Sequence, residues 1–131
     1  MTSTTRTVLV VDDDPDFLLQ EKTQLEAAGF RTVTADNKAA ALALLADWRP
    51  DLAVVDVMME DADAGFTVCY AIKKKDPTIP VILITSVVSE TGLAFDAATD
   101  EERSWIKADA FLAKPIRFEQ LRRELDRLLT G

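Results

Sequence analysis

The chain has 131 residues, 48% of them hydrophobic and 29% charged, with a formal net charge of −8. That length predicts a single domain able to bury a core without staples, and the acidity excludes direct binding of nucleic acid or an anionic membrane by charge. One cysteine, Cys69, excludes an internal disulfide; no histidine removes the commonest general base and most zinc sites; no membrane-length apolar run or signal core appears, so a cytoplasmic location is expected.

Thr7-Val8-Leu9-Val10-Val11 is a β-branched run and predicts a first strand, stopped by Asp12-Asp13-Asp14. Pro15 suits a first helical turn with Asp14 as its N-cap; Phe17, Leu18, Leu25 and Ala28 face inward, and Gly29 ends the helix. Residues 31–35 alternate apolar and polar as an edge strand does, and Asn37 caps an Ala/Leu-rich helix that reaches Trp48 before Pro50. Leu52-Ala53-Val54-Val55-Asp56 is four apolar residues and then a carboxylate. A continuous run of this kind marks a parallel strand covered on both faces.

A third helix is expected over 65–75, with Phe66, Val68, Cys69 and Ile72 at core spacing. Pro77 and Pro80 bracket the turn into the fourth strand, Val81-Ile82-Leu83-Ile84-Thr85. Thr99 and Glu102 form a capping box for a short helix over 99–107. Ala110-Phe111-Leu112-Ala113 is a fifth strand ending at Lys114-Pro115, and Phe118, Leu121, Leu125, Leu128 and Leu129 stripe the last helix. Cys69 reads as a small buried hydrophobe, and Trp48 and Trp105 read as packing residues. Lys73, Lys74 and Lys75, with Arg117, Arg122, Arg123 and Arg127, are expected on solvated helix faces. Strands alternating with helices imply right-handed βαβ units, hence an α/β fold with a parallel sheet between helical layers. Periodicity alone leaves the strand order open.

Four strands end in polar groups: Asp12 and Asp13 after the first, Asp56 at the third, Thr85 at the fourth and Lys114 after the fifth. In a parallel sheet these ends share one rim, where ligands bind. Like charges that close raise one another's pKa unless a counter-charge is present, and Mg²⁺ is the hard cation that carboxylates take. A metal beside a carboxylate, a lysine and a hydroxyl suits phosphoryl transfer to the carboxylate.

Taken in order, Val10-Val11-Asp12-Asp13-Asp14-Pro15, Asp56-Val57-Met58-Met59, Thr85-Ser86 and Lys114-Pro115 resemble the receiver domain of two-component response regulators, over about 7–129. The resemblance implies a flavodoxin-like (βα)5 doubly wound sheet of order 2-1-3-4-5. It implies that Asp56 accepts a phosphoryl group from a sensor histidine kinase or phosphotransfer protein. Asp13 and Asp56, with the backbone carbonyl of Met58, would hold Mg²⁺, and Asp12 would act mostly through water. Thr85 and Lys114 would each take a phosphoryl oxygen, and Phe111 would change rotamer as Thr85 moves. An aromatic at 111 also fits a plain core role. The Lys114–Pro115 bond would be cis. A downstream protein is the expected listener, and a homodimer could form across the face of the 99–107 helix, the fifth strand and the last helix.

The chain departs from that pattern at several points. Glu60 stands where the family usually has proline, and Gly65 lies nine residues past Asp56, one more than is common. Glu60, Asp61 and Asp63 read as a solvated acidic loop. Thr85 and Lys114 are 29 residues apart, and the extra length, with Val87, Val88, Leu93 and Phe95, reads either as a device for reporting phosphorylation or as an ordered insertion that only lengthens the fourth helix. In the resembled family the residues two past the acceptor and two past the threonine tune attack by water; Met58 and Val87 cannot orient one. No output domain is expected after Leu129. Two rivals stand beside the switch: a degenerate receiver acting as a constitutive scaffold, and an aspartyl-nucleophile phosphatase of the haloacid-dehalogenase type. The second needs an Asp where Met58 stands.

Overall fold

A computed structural model of the chain describes residues 6–57, 64–85, 108–114 and 116–129. Its strands are β1 (Thr7–Val11), β2 (Arg31–Ala35), β3 (Leu52–Asp56), β4 (Val81–Thr85) and β5 (Ala110–Ala113). All pair in parallel, in the order β2-β1-β3-β4-β5. The described helices are α1 (Pro15–Ala27), α2 (Lys38–Asp47), α3 (Ala64–Lys75) and α4 (Phe118–Leu129). The expected 99–107 helix with Trp105, the acidic loop of Glu60, Asp61 and Asp63, Met58, the 87–98 segment and Pro115 lie outside the described residues.

The apolar strands are buried on both faces because their side chains alternate between two separate cores. Leu9, Val11, Ala53, Val55, Val81 and Leu83 point one way, onto Ala41 and Leu45 of α2 and Val68, Cys69 and Ile72 of α3. Val8, Val10, Leu52, Val54, Ile82 and Ile84 point the other way, onto Leu25 of α1 and Leu121 and Leu125 of α4. A one-residue slip of β3 would exchange these two sets, so the register is strongly held. Trp48 packs against the first core, and Cys69 is fully buried there with its thiol pushed up to about 11 by desolvation.

The ends of the helices follow local chemistry. Asp14 caps α1 by accepting the Asp16 N–H, and Asn37 caps α2 by accepting the Ala40 N–H at 2.7 Å. Gly29, at φ +100°, takes the left-handed turn after α1. Lys73 does not lie on a solvated face as expected. Its ammonium donates to Asp109 Oδ2 at 2.7 Å and to the Ile79 carbonyl at 2.6 Å, and Asp109 Oδ2 also accepts the Val81 N–H. This clamp ties the end of α3 to the starts of β4 and β5, at the edge of the sheet opposite Asp56.

Candidate functional site

Topology places the carboxylates. From β1 the chain crosses to β2 on one side, while β3 pairs with β1 on the other, so the strand order reverses there and a crevice opens at their carboxyl ends. Asp12 and Asp13 follow β1, Asp56 closes β3, and the register Val11↔Val55 brings them level. Asp12, Asp13 and Asp56 each offer a carboxylate oxygen within 4.8 Å of the others. Asp12 is wholly buried and Asp56 only 4% exposed, whereas Asp13 is open to solvent.

Asp12 is fastened on every side. Its N–H donates to the Ala35 carbonyl, its Oδ1 accepts the Asp14 N–H at 2.9 Å, and its Oδ2 accepts Lys114 Nζ at 2.8 Å. The same ammonium lies 3.6 Å from Asp56 Oδ2 and 4.5 Å from the centroid of the Phe17 ring, which covers it from α1. Burial works against the Lys114 charge. The hydrogen bond to Asp12 and the charges of Asp12, Asp56 and Asp14 outweigh it and push the ammonium above its ordinary value.

The remaining rim is tied by backbone. The Val57 N–H donates to the Ile84 carbonyl and the Lys114 N–H donates to the Thr85 carbonyl, both at 2.8 Å. Thr85, half-buried, closes β4 one strand away from Asp56 and pairs with Ala113. Phe111 is 38% exposed and belongs to neither core, against its reading as a plain core aromatic. Asp12, Asp13, Asp56 and Lys114 are thus in one place, with Thr85 on the same rim, while Met58 lies outside the described residues.

Three features of this site went unread in the sequence. Gly65 starts α3 so close to β3 that a Cβ there would collide with the Asp56 carbonyl and Val57 Cα. In the sequence Phe17 is only an inward residue of the helix, whereas in the fold its ring covers Lys114. Glu21, one turn below it, is 1% exposed, its Oε1 has no hydrogen-bond partner among the described residues, and desolvation, helped by the Asp12 charge, pushes its pKa up to about 7. The signal was available: position 21 lies four residues from both Phe17 and Leu25, on the stripe that predicts burial.

The donor set is all oxygen, two of the three carboxylates are buried, and one ammonium offsets only part of their charge. These groups fit a hard divalent cation such as Mg²⁺ that keeps some of its water. The family described as the response regulator receiver domain matches residues 8–126. The chain belongs to that family. The receiver is 39% identical over 114 residues to the heme response regulator HssR of Staphylococcus haemolyticus, and 40% identical to HssR of Staphylococcus aureus. The match covers 86% of this chain but 46% of those relatives, so the chain spans about half their length. Among solved structures, the receiver superposes on response regulator TrrA of Thermotoga maritima, in complex with Mg²⁺–BeF, with a TM-score of 0.77 at 29% identity. That match covers 95% of this chain and all of TrrA. Chemotaxis protein CheY4 of Vibrio cholerae gives a TM-score of 0.81 at 26% identity, over 96% of this receiver and all of CheY4. Among the described residues, no helix is long and apolar enough to cross a membrane.

Proposed function

We propose that Asp56 accepts a phosphoryl group from the phosphohistidine of a sensor kinase or phosphotransfer protein, and that the altered rim changes contacts with a downstream protein. The observation that carries this is the cluster itself: three carboxylates within 4.8 Å, with Lys114 at 2.8 Å from Asp12 and 3.6 Å from Asp56. A structural role would not need three acids and an ammonium on one rim. In the reaction an Asp56 carboxylate oxygen forms a bond to phosphorus while the phosphorus–nitrogen bond of the donor breaks, and the leaving imidazole takes a proton. Asp13 and Asp56, with the backbone carbonyl of Met58 and with Asp12 through water, are the groups proposed to hold Mg²⁺. When bound, that ion neutralises charge on the transferring phosphoryl oxygens. Lys114 supplies a second positive charge to those oxygens, and the Thr85 hydroxyl donates a hydrogen bond to one of them. Phe111, on the strand beside Thr85, is the proposed relay to the outer face. The Mg²⁺–BeF complex of TrrA supports the reading, since a relative at 29% identity takes that pair.

Acetyl phosphate with Mg²⁺, followed by intact mass, tests the proposal. The wild-type chain should gain one phosphoryl group and Asp56→Asn none, with the fold retained because the change is nearly isosteric. Labelling of the mutant at the wild-type rate would remove Asp56 from its role. A constitutive scaffold would leave both proteins unlabelled.

A further inference from the structure

Glu21 is the feature that the proposed chemistry does not use. It is a carboxyl on the core face of α1, 1% exposed, among neighbours such as Leu25 that a leucine at the same place would pack against. Burying it costs stability, and among the described residues Oε1 has no hydrogen-bond partner to offset that cost. The charges that act on it are those of Asp12 and Lys114, the two ends of the short ion pair in the site. Phe17, four residues earlier on the same face, already covers the Lys114 ammonium at 4.5 Å. Glu21 thus lies buried one turn from the ring that covers that lysine, on the same face of α1.

We infer that Glu21 is a positioning residue for Lys114: it is the second counter-charge to which the ammonium turns when a divalent cation occupies the three-aspartate site. This rests on the reading of Asp12, Asp13 and Asp56 as that site. Without a cation, Lys114 is the charge that makes the cluster tolerable, and it is bound at 2.8 Å to Asp12. A divalent ion placed among those carboxylates repels the ammonium and competes for Asp12. In a chain with an apolar residue at 21, displacing Lys114 from Asp12 would leave a partly buried cation with the Phe17 ring and the Asp14 charge, its nearer carboxylates taken by the ion. In this chain the displaced ammonium meets a buried anion whose free oxygen accepts it. Glu21 thereby lowers the cost of cation binding without touching the cation, and it keeps Lys114 within reach of a group held on Asp56.

The test is a Mg²⁺ titration at pH 8, followed by fluorescence or by the amide resonances of residues 12–14 and 56, on four proteins: wild type, Glu21→Gln, Lys114→Met and the double mutant. Glu21→Gln keeps the shape and loses the charge. It should weaken Mg²⁺ binding by about tenfold, the size expected for loss of one charge several ångströms away. In the Lys114→Met background the same substitution should change the affinity by less than about twofold, because the group it serves has gone. An equal loss in both backgrounds would mean a general charge effect and would overturn the assignment. So would a Glu21→Gln protein of altered thermal stability with unchanged Mg²⁺ affinity, the mark of a purely structural residue. A wild-type chain that binds no Mg²⁺ would overturn the parent reading and this one together, whereas wild-type binding with an indifferent Glu21→Gln defeats this one alone.

Discussion

Lys114 donates to Asp12 at 2.8 Å across 102 residues of chain, and the acceptor is wholly buried. The pair ties together the rim of four strands, since Asp12 follows β1 and Lys114 follows β5, with β3 and β4 between them. Among the described residues, neither has another counter-charge as close. Lys114→Met should therefore leave Asp12 buried beside Asp13 and Asp56 with no ammonium. Without divalent cations the loss should be about 2 kcal/mol in urea unfolding, discounted because Lys114 is partly exposed. Millimolar Mg²⁺ should restore more stability to the mutant than it adds to the wild type, because it supplies the missing charge. A mutant that unfolds like the wild type in EDTA would show that the ion pair contributes little.

Glu21 gives the fold a pH dependence whose sign is set by burial. Burial holds its pKa up at about 7 in the folded chain, against an ordinary 4.5, so the folded chain holds the proton longer than the unfolded one. Below pH 4.5 both states are protonated and the stability is unaffected. As pH rises through this interval the unfolded state ionises first, and the folded state loses on the order of 3 kcal/mol by the time pH passes 7. The stability gap between Glu21→Gln and wild type should widen by that order from pH 5 to pH 8 in EDTA. A gap independent of pH would mean that Glu21 is solvated in the folded chain.

Gly65→Ala tests the packing of α3 against β3. The added methyl would meet the backbone of Asp56 and Val57, which are held by the sheet and have nowhere to yield. Destabilisation of about 1–3 kcal/mol is expected, together with slower acetyl phosphate labelling, because the strain falls on the acceptor residue itself. Normal stability and labelling would show that α3 can slide outward at no cost.

The acyl phosphate should be long-lived for a receiver. Met58 and Val87 offer no hydrogen bond to orient an attacking water. Met58→Asn combined with a polar residue at 87 should speed loss of the label, followed by intact mass after removal of the donor. Wild-type loss within seconds would contradict the expectation.

The sequence by itself determined the described elements and where along them the candidate residues fall. Val8 to Val11, Leu52 to Val55 and Val81 to Ile84 are apolar runs that only a sheet covered on both faces can bury, and caps such as Asp14 and Asn37 act within a few residues of the chain. Asp12, Asp13, Asp56, Thr85 and Lys114 were legible because each ends or follows a strand, and parallel strands end on one rim. The order β2-β1-β3-β4-β5 could be had from the family resemblance but not from periodicity, which carries no record of which strands are neighbours. Tertiary structure alone decided the long-range contacts. It brought Lys73 off its solvated face onto Asp109 and set the Phe17 ring over Lys114. It also put the Gly65 backbone against Asp56. Glu21 lies between the two cases: helical spacing marked its position as buried, while its charge marked it as exposed. Only the packing of α1 against the sheet shows that position won, because the helix cannot turn Phe17 and Leu25 inward without carrying residue 21 in with them.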